Sequence, residues 1–237
     1  MKKTSKLLAL VVTSLTVMSG CKGSKITNEE AKDVVSNIAE ESAKIYAEGK
    51  LSFTAEVEMT MTIEGEESEA KTELEYDAEN KALYAYVYAK DGEETEELEY
   101  YCGLKDGVYY YFDELKEEYY TVEGDAAELA WATNESYLAF PAGVSAQILT
   151  ALTGYIAAED ENVTFYSSGE GNLYVEYKYE EDGEKVQYDY EFKDNLVTKE
   201  IIKGSDEEGN KVNSKTTLKY KASVKLPSTK GYTKKSL

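Results

Sequence analysis

The stretch Phe53–Ile63, FTAEVEMTMTI, alternates without a break. Phe53, Ala55, Val57, Met59, Met61 and Ile63 take one parity, and Thr54, Glu56, Glu58, Thr60 and Thr62 the other. A period of two sends successive side chains to opposite faces of an extended chain. The stretch therefore predicts a long strand with one dry and one wet face. Glu64-Gly65 follows it, a pair suited to a tight hairpin turn.

The same pattern repeats outward from this strand. Alternating runs lie near 69–77, 82–89, 95–104, 107–113 and 117–122, punctuated by Glu79-Asn80, Asp91-Gly92 and Asp106-Gly107. A second series follows near 162–168, 172–180, 184–193, 196–203 and 211–226, with turns at Asp182-Gly183 and Glu208-Gly209-Asn210. Hairpin signals between consecutive runs predict antiparallel meanders of about eleven strands. Most of the 22 tyrosines follow this period: Tyr84, Tyr86 and Tyr88 share one face, as do Tyr188 and Tyr190 with Val186 and Phe192. A flat ring covers a pleated surface and leaves its hydroxyl free for water, so the rings are read as sheet builders.

Two segments break the alternation. Thr27-Asn28-Glu29-Glu30 forms a capping box, and Ala31, Val34, Val35, Ile38, Ile45 and Tyr46 follow at helical spacing up to Gly49. Between Ala126 and Ala158 the only charges are Glu128 and Glu135. This insert reads as a short helix with Trp131, a break at Pro141-Ala142-Gly143, and a second helix striped by Val144, Ile148, Leu149, Leu152 and Tyr155. Such a stripe is either a core helix or a lid over an apolar cavity.

At the N-terminus Lys2, Lys3 and Lys6 precede the apolar run Leu7 to Val17, and Met18-Ser19-Gly20-Cys21 ends it. The order positive, apolar, small is that of a secretory signal, and the run is short for a bilayer span. The ending resembles the lipobox of bacterial lipoproteins. That resemblance implies cleavage after Gly20 and a diacylglyceryl anchor on Cys21. The expected organisation is a signal peptide at 1–20, lipidated cysteine and tether at 21–26, one domain at 27–226 and a loose tail at 227–237. The protein would then be extracytoplasmic and membrane-anchored through Cys21.

Loss of residues 1–20 removes three of 26 lysines and no acid, leaving 23 lysines against 47 carboxylates, a net charge of −24. That charge excludes nucleic acid as a natural partner. The chain has no His and no Arg, which removes the commonest general base and the bidentate phosphate clamp. Cys102 has no His to activate it, and its alternation with Leu98, Tyr100 and Leu104 predicts a buried small hydrophobe. No phosphate-binding loop, nucleophile elbow or calcium-loop spacing occurs, so no catalytic residue, metal site or cofactor is expected.

Helix, meander, apolar helical insert and second meander together resemble the half-barrel lipoprotein-carrier family of LolA, LolB, LppX and LprG, over about Thr27 to Leu226. The resemblance implies an α+β fold in which a curved, incompletely closed antiparallel sheet wraps helices and holds acyl chains on its concave face. The arginine with which LolA works has no counterpart here. Two functions follow as expectations. One is a binding protein for an apolar ligand such as a lipid, its cavity lined by Phe53, Val57, Met59, Met61, Trp131, Phe140, Ile148 and Leu152. The other is an acidic surface protein with a filled core, working through a protein partner.

Overall fold

The computed structural model describes residues 22–235; Cys21 and the signal segment lie outside them. A short strand β1 (Ser24–Ile26) precedes helix α1 (Asn28–Ala47). The first meander comprises β2 (Phe53–Ile63), β3 (Glu66–Asp77), β4 (Ala82–Asp91), β5 (Glu94–Lys105), β6 (Val108–Asp113) and β7 (Glu118–Glu123). The apolar insert forms α2 (Asp125–Ala132), a 3-10 turn at Thr133–Leu138, and α3 (Ala139–Ala157). The second meander is β8 (Val163–Gly169), β9 (Asn172–Glu181), β10 (Glu184–Lys193), β11 (Leu196–Ser205) and β12 (Lys211–Lys219), and β13 (Thr233–Lys234) ends the series.

All thirteen strands belong to one curved, unclosed sheet in the order β1-β8-β9-β10-β11-β12-β2-β3-β4-β5-β6-β7-β13. The two meanders are welded by antiparallel pairing of β12 with β2, Thr216 facing Val57 and Ser214 facing Met59. The eleven strands expected from the alternation are β2 to β12. The remaining two, β1 and β13, are short edge strands built from the segments expected as tether and tail. Each covers an edge that would otherwise present unpaired backbone groups.

Local chemistry explains the elements. Thr27 caps α1, its hydroxyl accepting from the Glu30 amide at 3.2 Å while the Glu30 carboxylate accepts from the Thr27 amide at 2.8 Å. Gly49, at φ 65°, ends that helical segment. The hairpin pairs Glu64-Gly65, Asp106-Gly107 and Asp182-Gly183 all take positive φ at both residues, as two-residue turns between twisted strands require. The pair Asp194-Asn195 does the same without a glycine.

Strand β12, expected to run to Leu226, stops at Lys219. Beyond it the chain is held by specific contacts. The Tyr220 hydroxyl donates to the Val197 carbonyl at 2.8 Å, and the Val224 amide donates to Asp77 Oδ2 at 3.2 Å. Leu226 lies so close to Gly103 that a Cβ there would meet its methyls at 3.1 Å and the Lys81 carbonyl at 2.8 Å. Tyr232 packs edge-on against Phe112, and β13 pairs in parallel with β7.

Asp77 is buried and also accepts from the Asn80 amide at 3.0 Å and from Asn80 Nδ2 at 2.7 Å. Burial pushes its carboxyl up, but these bonds outweigh that and hold it below its ordinary 3.8. Its contribution is therefore present above pH 3.8 and lost as pH falls further. Asp77→Ala is expected to cost about 1–3 kcal/mol in a urea titration, since the buried Val224 amide loses its acceptor. It should also speed trypsin cleavage at Lys221 and Lys225. An unchanged midpoint and cleavage rate would show that Asp77 does not fasten the tail.

Candidate functional site

The register sorts the concave side chains into rows across the strands. One row runs Leu218, Ala55, Leu74, Ala85 and Tyr100. Helices α1 and α3 and the Trp131 side chain of α2 cover it, and every member is buried. The α1 face is Ala31, Val35, Ile38 and Ser42; the α3 face is Pro141, Ser145, Ile148, Leu149 and Leu152. Phe53, Tyr76 and Trp131 stack in series, with centroids 5.8 Å apart at each step.

The next rows toward the hairpin tips lose this cover progressively, although Thr216 is still buried. Glu200, Thr216, Val57, Thr72, Val87 and Leu98 form one, and Ile202, Ser214, Met59, Ala70 and Ala89 the next. Val87 is 36% exposed, Leu98 40% and, at the end of β2, Ile63 56%. Met61, Ile63, Gly204 and Val212, with the Asp206–Lys211 turn, bound an open apolar cleft of about 280 Å³. A second cleft, of about 420 Å³, lies mostly among the ion pairs of the convex face, between Glu58, Lys71, Ile201, Lys203 and Lys215.

The eight residues expected to line an apolar cavity thus divide into two groups. Phe53, Trp131, Ile148 and Leu152 are fully buried in the packed half, and Phe140 lies half-buried against the same cluster. Val57, Met59 and Met61 stand together on the uncovered half. Of the two roles open to the α3 stripe, core helix or lid, its burial gives the first. Cys102 is buried as well; burial pushes its thiol up to about 12, and it donates to Asn134 Oδ1 at 3.5 Å. It is a packed, protonated thiol and not a nucleophile.

Charge is segregated by face. Every lysine of β1 to β12 points to the convex side, where Lys71–Glu73, Lys215–Glu58 and Lys219–Glu56 form exposed ion pairs. At the β1 end, Lys22 Nζ lies 2.6 Å from Glu176 and over the Tyr174 ring at 4.8 Å. Every ionisable carboxyl or amine that the alternation sends to the concave side of these strands is instead a carboxyl. Glu200 is the one placed at the boundary of the packed half, facing Tyr190 on β10 and Thr216 on β12. It has no hydrogen bond or ion pair among the described residues, and burial pushes its carboxyl above the ordinary 4.5. Beside it Tyr155 of α3 stacks on Tyr177 at 4.9 Å, Tyr177 lies 5.6 Å from Tyr188, and Tyr188 lies 6.1 Å from Tyr190. Sequence reading passed over Glu200 among 47 acids. The signal was an acid flanked by Val197, Ile201 and Ile202, and a register shift between β10 and β11 obscures its parity.

No family model matches the chain, and neither does any curated protein. Among solved structures it is similar to LprF from Mycobacterium bovis, at 12% identity and TM-score 0.34, over 87% of this chain and 99% of that one. It is also similar to a beta-barrel-like protein of a domain of unknown function from Brucella abortus, at 11% identity and TM-score 0.22, over 73% of this chain and 98% of that one. At such overlap the half-barrel assignment rests on the chain's own strand order and register. Among the described residues no group of three or more His, Cys, Asp or Glu is placed to hold a metal, and no helix is long and apolar enough to cross a membrane.

Two measurements test this division. Leu152→Ala should cost about 2–5 kcal/mol, as in other packed cores, whereas Met59→Ala should cost under about 1 kcal/mol. Equal costs would contradict a half-filled trough. For Glu200, the folded carboxyl lies above its unfolded value, so its penalty is absent below pH 4.5 and grows as pH rises through the folded value. Glu200→Gln should therefore raise the urea midpoint at pH 7.5 and leave it near wild type at pH 4. A lower midpoint at pH 7.5 would show that the charge is stabilising.

Proposed function

We propose that the protein is an extracytoplasmic binding protein, anchored by lipid at Cys21, that takes an apolar ligand such as a lipid acyl chain without chemical change. The observation that supports this reading is the uncovered strip of the concave face, Val57, Met59, Met61, Val87, Leu98 and Ile202. Apolar side chains left in water on the inner side of a curved sheet are in place to bury something else. Met suits such a wall because its unbranched chain adapts in shape. Eight methylenes laid along the strip would contribute about 6 kcal/mol at 0.8 kcal/mol each, before the cost of association.

A second reading, an acidic interaction protein with a protein partner and no ligand, draws on the packed half. There Phe53, Trp131, Ile148 and Leu152 already fill the space against the sheet. The segment 22–237 contains every described strand and helix. Purified without detergent and examined by native mass spectrometry, it should carry an extractable apolar molecule, or accept an added dodecyl chain. Met59→Glu should abolish that binding while shifting the urea midpoint by less than about 1 kcal/mol, as expected for a half-exposed site. An empty protein that also ignores the added chain would overturn the ligand reading in favour of the second.

A further inference from the structure

Glu200 is unexplained by apolar binding. A threonine at this position, as at Thr216 beside it, would keep the strand and avoid a half-buried charge. Charges withdrawn from water are costly unless a partner meets them. No lysine of β1 to β12 shares this face. Helix α3, which packs beside the boundary, contains no charged residue at all. The α1 lysines are exposed, and Lys44 is taken up by Glu40 and Glu41. Among the described residues the counter-charge for Glu200 is missing, and beyond the buried Tyr190 the half-exposed rings of Tyr177 and Tyr188 line the same face, where aromatic rings attract cations.

The geometry points to a cation-recognition site, in which Glu200 with the half-exposed Tyr177 and Tyr188 receives the positively charged nitrogen head of an amphiphile whose chain lies along Val57, Met59 and Met61. This assignment rests on the apolar-ligand reading above and narrows it to alkylammonium-type ligands. Among the described residues, carboxylate or phosphate heads beside Glu200 would meet no lysine of β1 to β12 on the concave face and several acids, among them Asp91 and Glu96 toward the tips. The raised Glu200 carboxyl agrees with a group whose charge awaits a partner.

The test compares three dodecyl probes below their micellar concentrations in about 0.15 M salt, where surface fields are screened beyond about 8 Å. They are dodecyltrimethylammonium, dodecanoate and a neutral dodecyl glycerol ether, titrated into the purified protein by calorimetry. The ammonium should bind at least about tenfold tighter than the carboxylate, a difference of about 1.4 kcal/mol. Glu200→Gln should erase most of that preference while leaving the neutral probe's affinity unchanged. Glu69→Gln, on the exposed convex face, should leave the preference intact. Equal binding of all three probes would overturn the head-group assignment and leave the apolar reading standing. No binding of any probe would overturn both. Loss of preference in Glu69→Gln as large as in Glu200→Gln would assign the effect to overall charge, and equal weakening of all probes in Glu200→Gln would assign Glu200 a structural role. Either result overturns the site.

Discussion

Two helices cannot roof this sheet, and the division of the concave face follows from that. Thirteen strands spaced about 4.8 Å apart span about 58 Å along the curve, and strands of 10 to 12 residues run about 33–40 Å. The helices α1 and α3 each measure about 30 Å by 10 Å. Their joint footprint of about 600 Å² falls well short of one sheet face, roughly 1,700 Å² once the short strands β1, β6, β7, β8 and β13 are taken at their own lengths. Cover therefore ends at the row through Ala55, Leu74 and Ala85, and the apolar parity of β2 continues beyond it to Ile63. The same alternation that builds the core produces an apolar surface wherever the core runs out.

Charge placement sharpens this asymmetry. Lysines on the convex face pair with acids of the same strand, as Lys71 with Glu73, or of a neighbouring one, as Lys215 with Glu58; such exposed ion pairs add little stability but separate like charges. The concave face holds acids only, and Glu200 stands where the packed and open halves meet. The two faces of one sheet thus offer different chemistry to an approaching molecule: mixed charge outside, and inside an apolar surface edged by carboxylates, of which Glu200 has no partner among the described residues.

Most of the fold was legible because alternation over six or more residues, bounded by hairpin pairs, points to one secondary structure. Thus β2 to β12 could be read directly, and the Thr27–Glu30 capping box located α1. The edge strands could not. Ser24–Ile26 and Thr233–Lys234 are too short to show a period and pair only because an edge is there to receive them. For the site, alternation identified Val57, Met59 and Met61 as facing inward with Phe53, yet gave no measure of how far along β2 the helices reach. Glu200 was hidden for a different reason: with the register shifted between β10 and β11, counting by twos along the strand loses its face.

The weld between the meanders has a consequence for assembly. Thr54 faces Lys219 and Thr62 faces Lys211, so the first long strand waits for the last before its second edge is filled. Closing so large a loop costs entropy and slows folding. Until β12 is made, β2 stands as an open template along that edge. Two chains emerging side by side can each lend that segment to the other, and the pairing that completes the monomer is then the one that would intertwine a dimer.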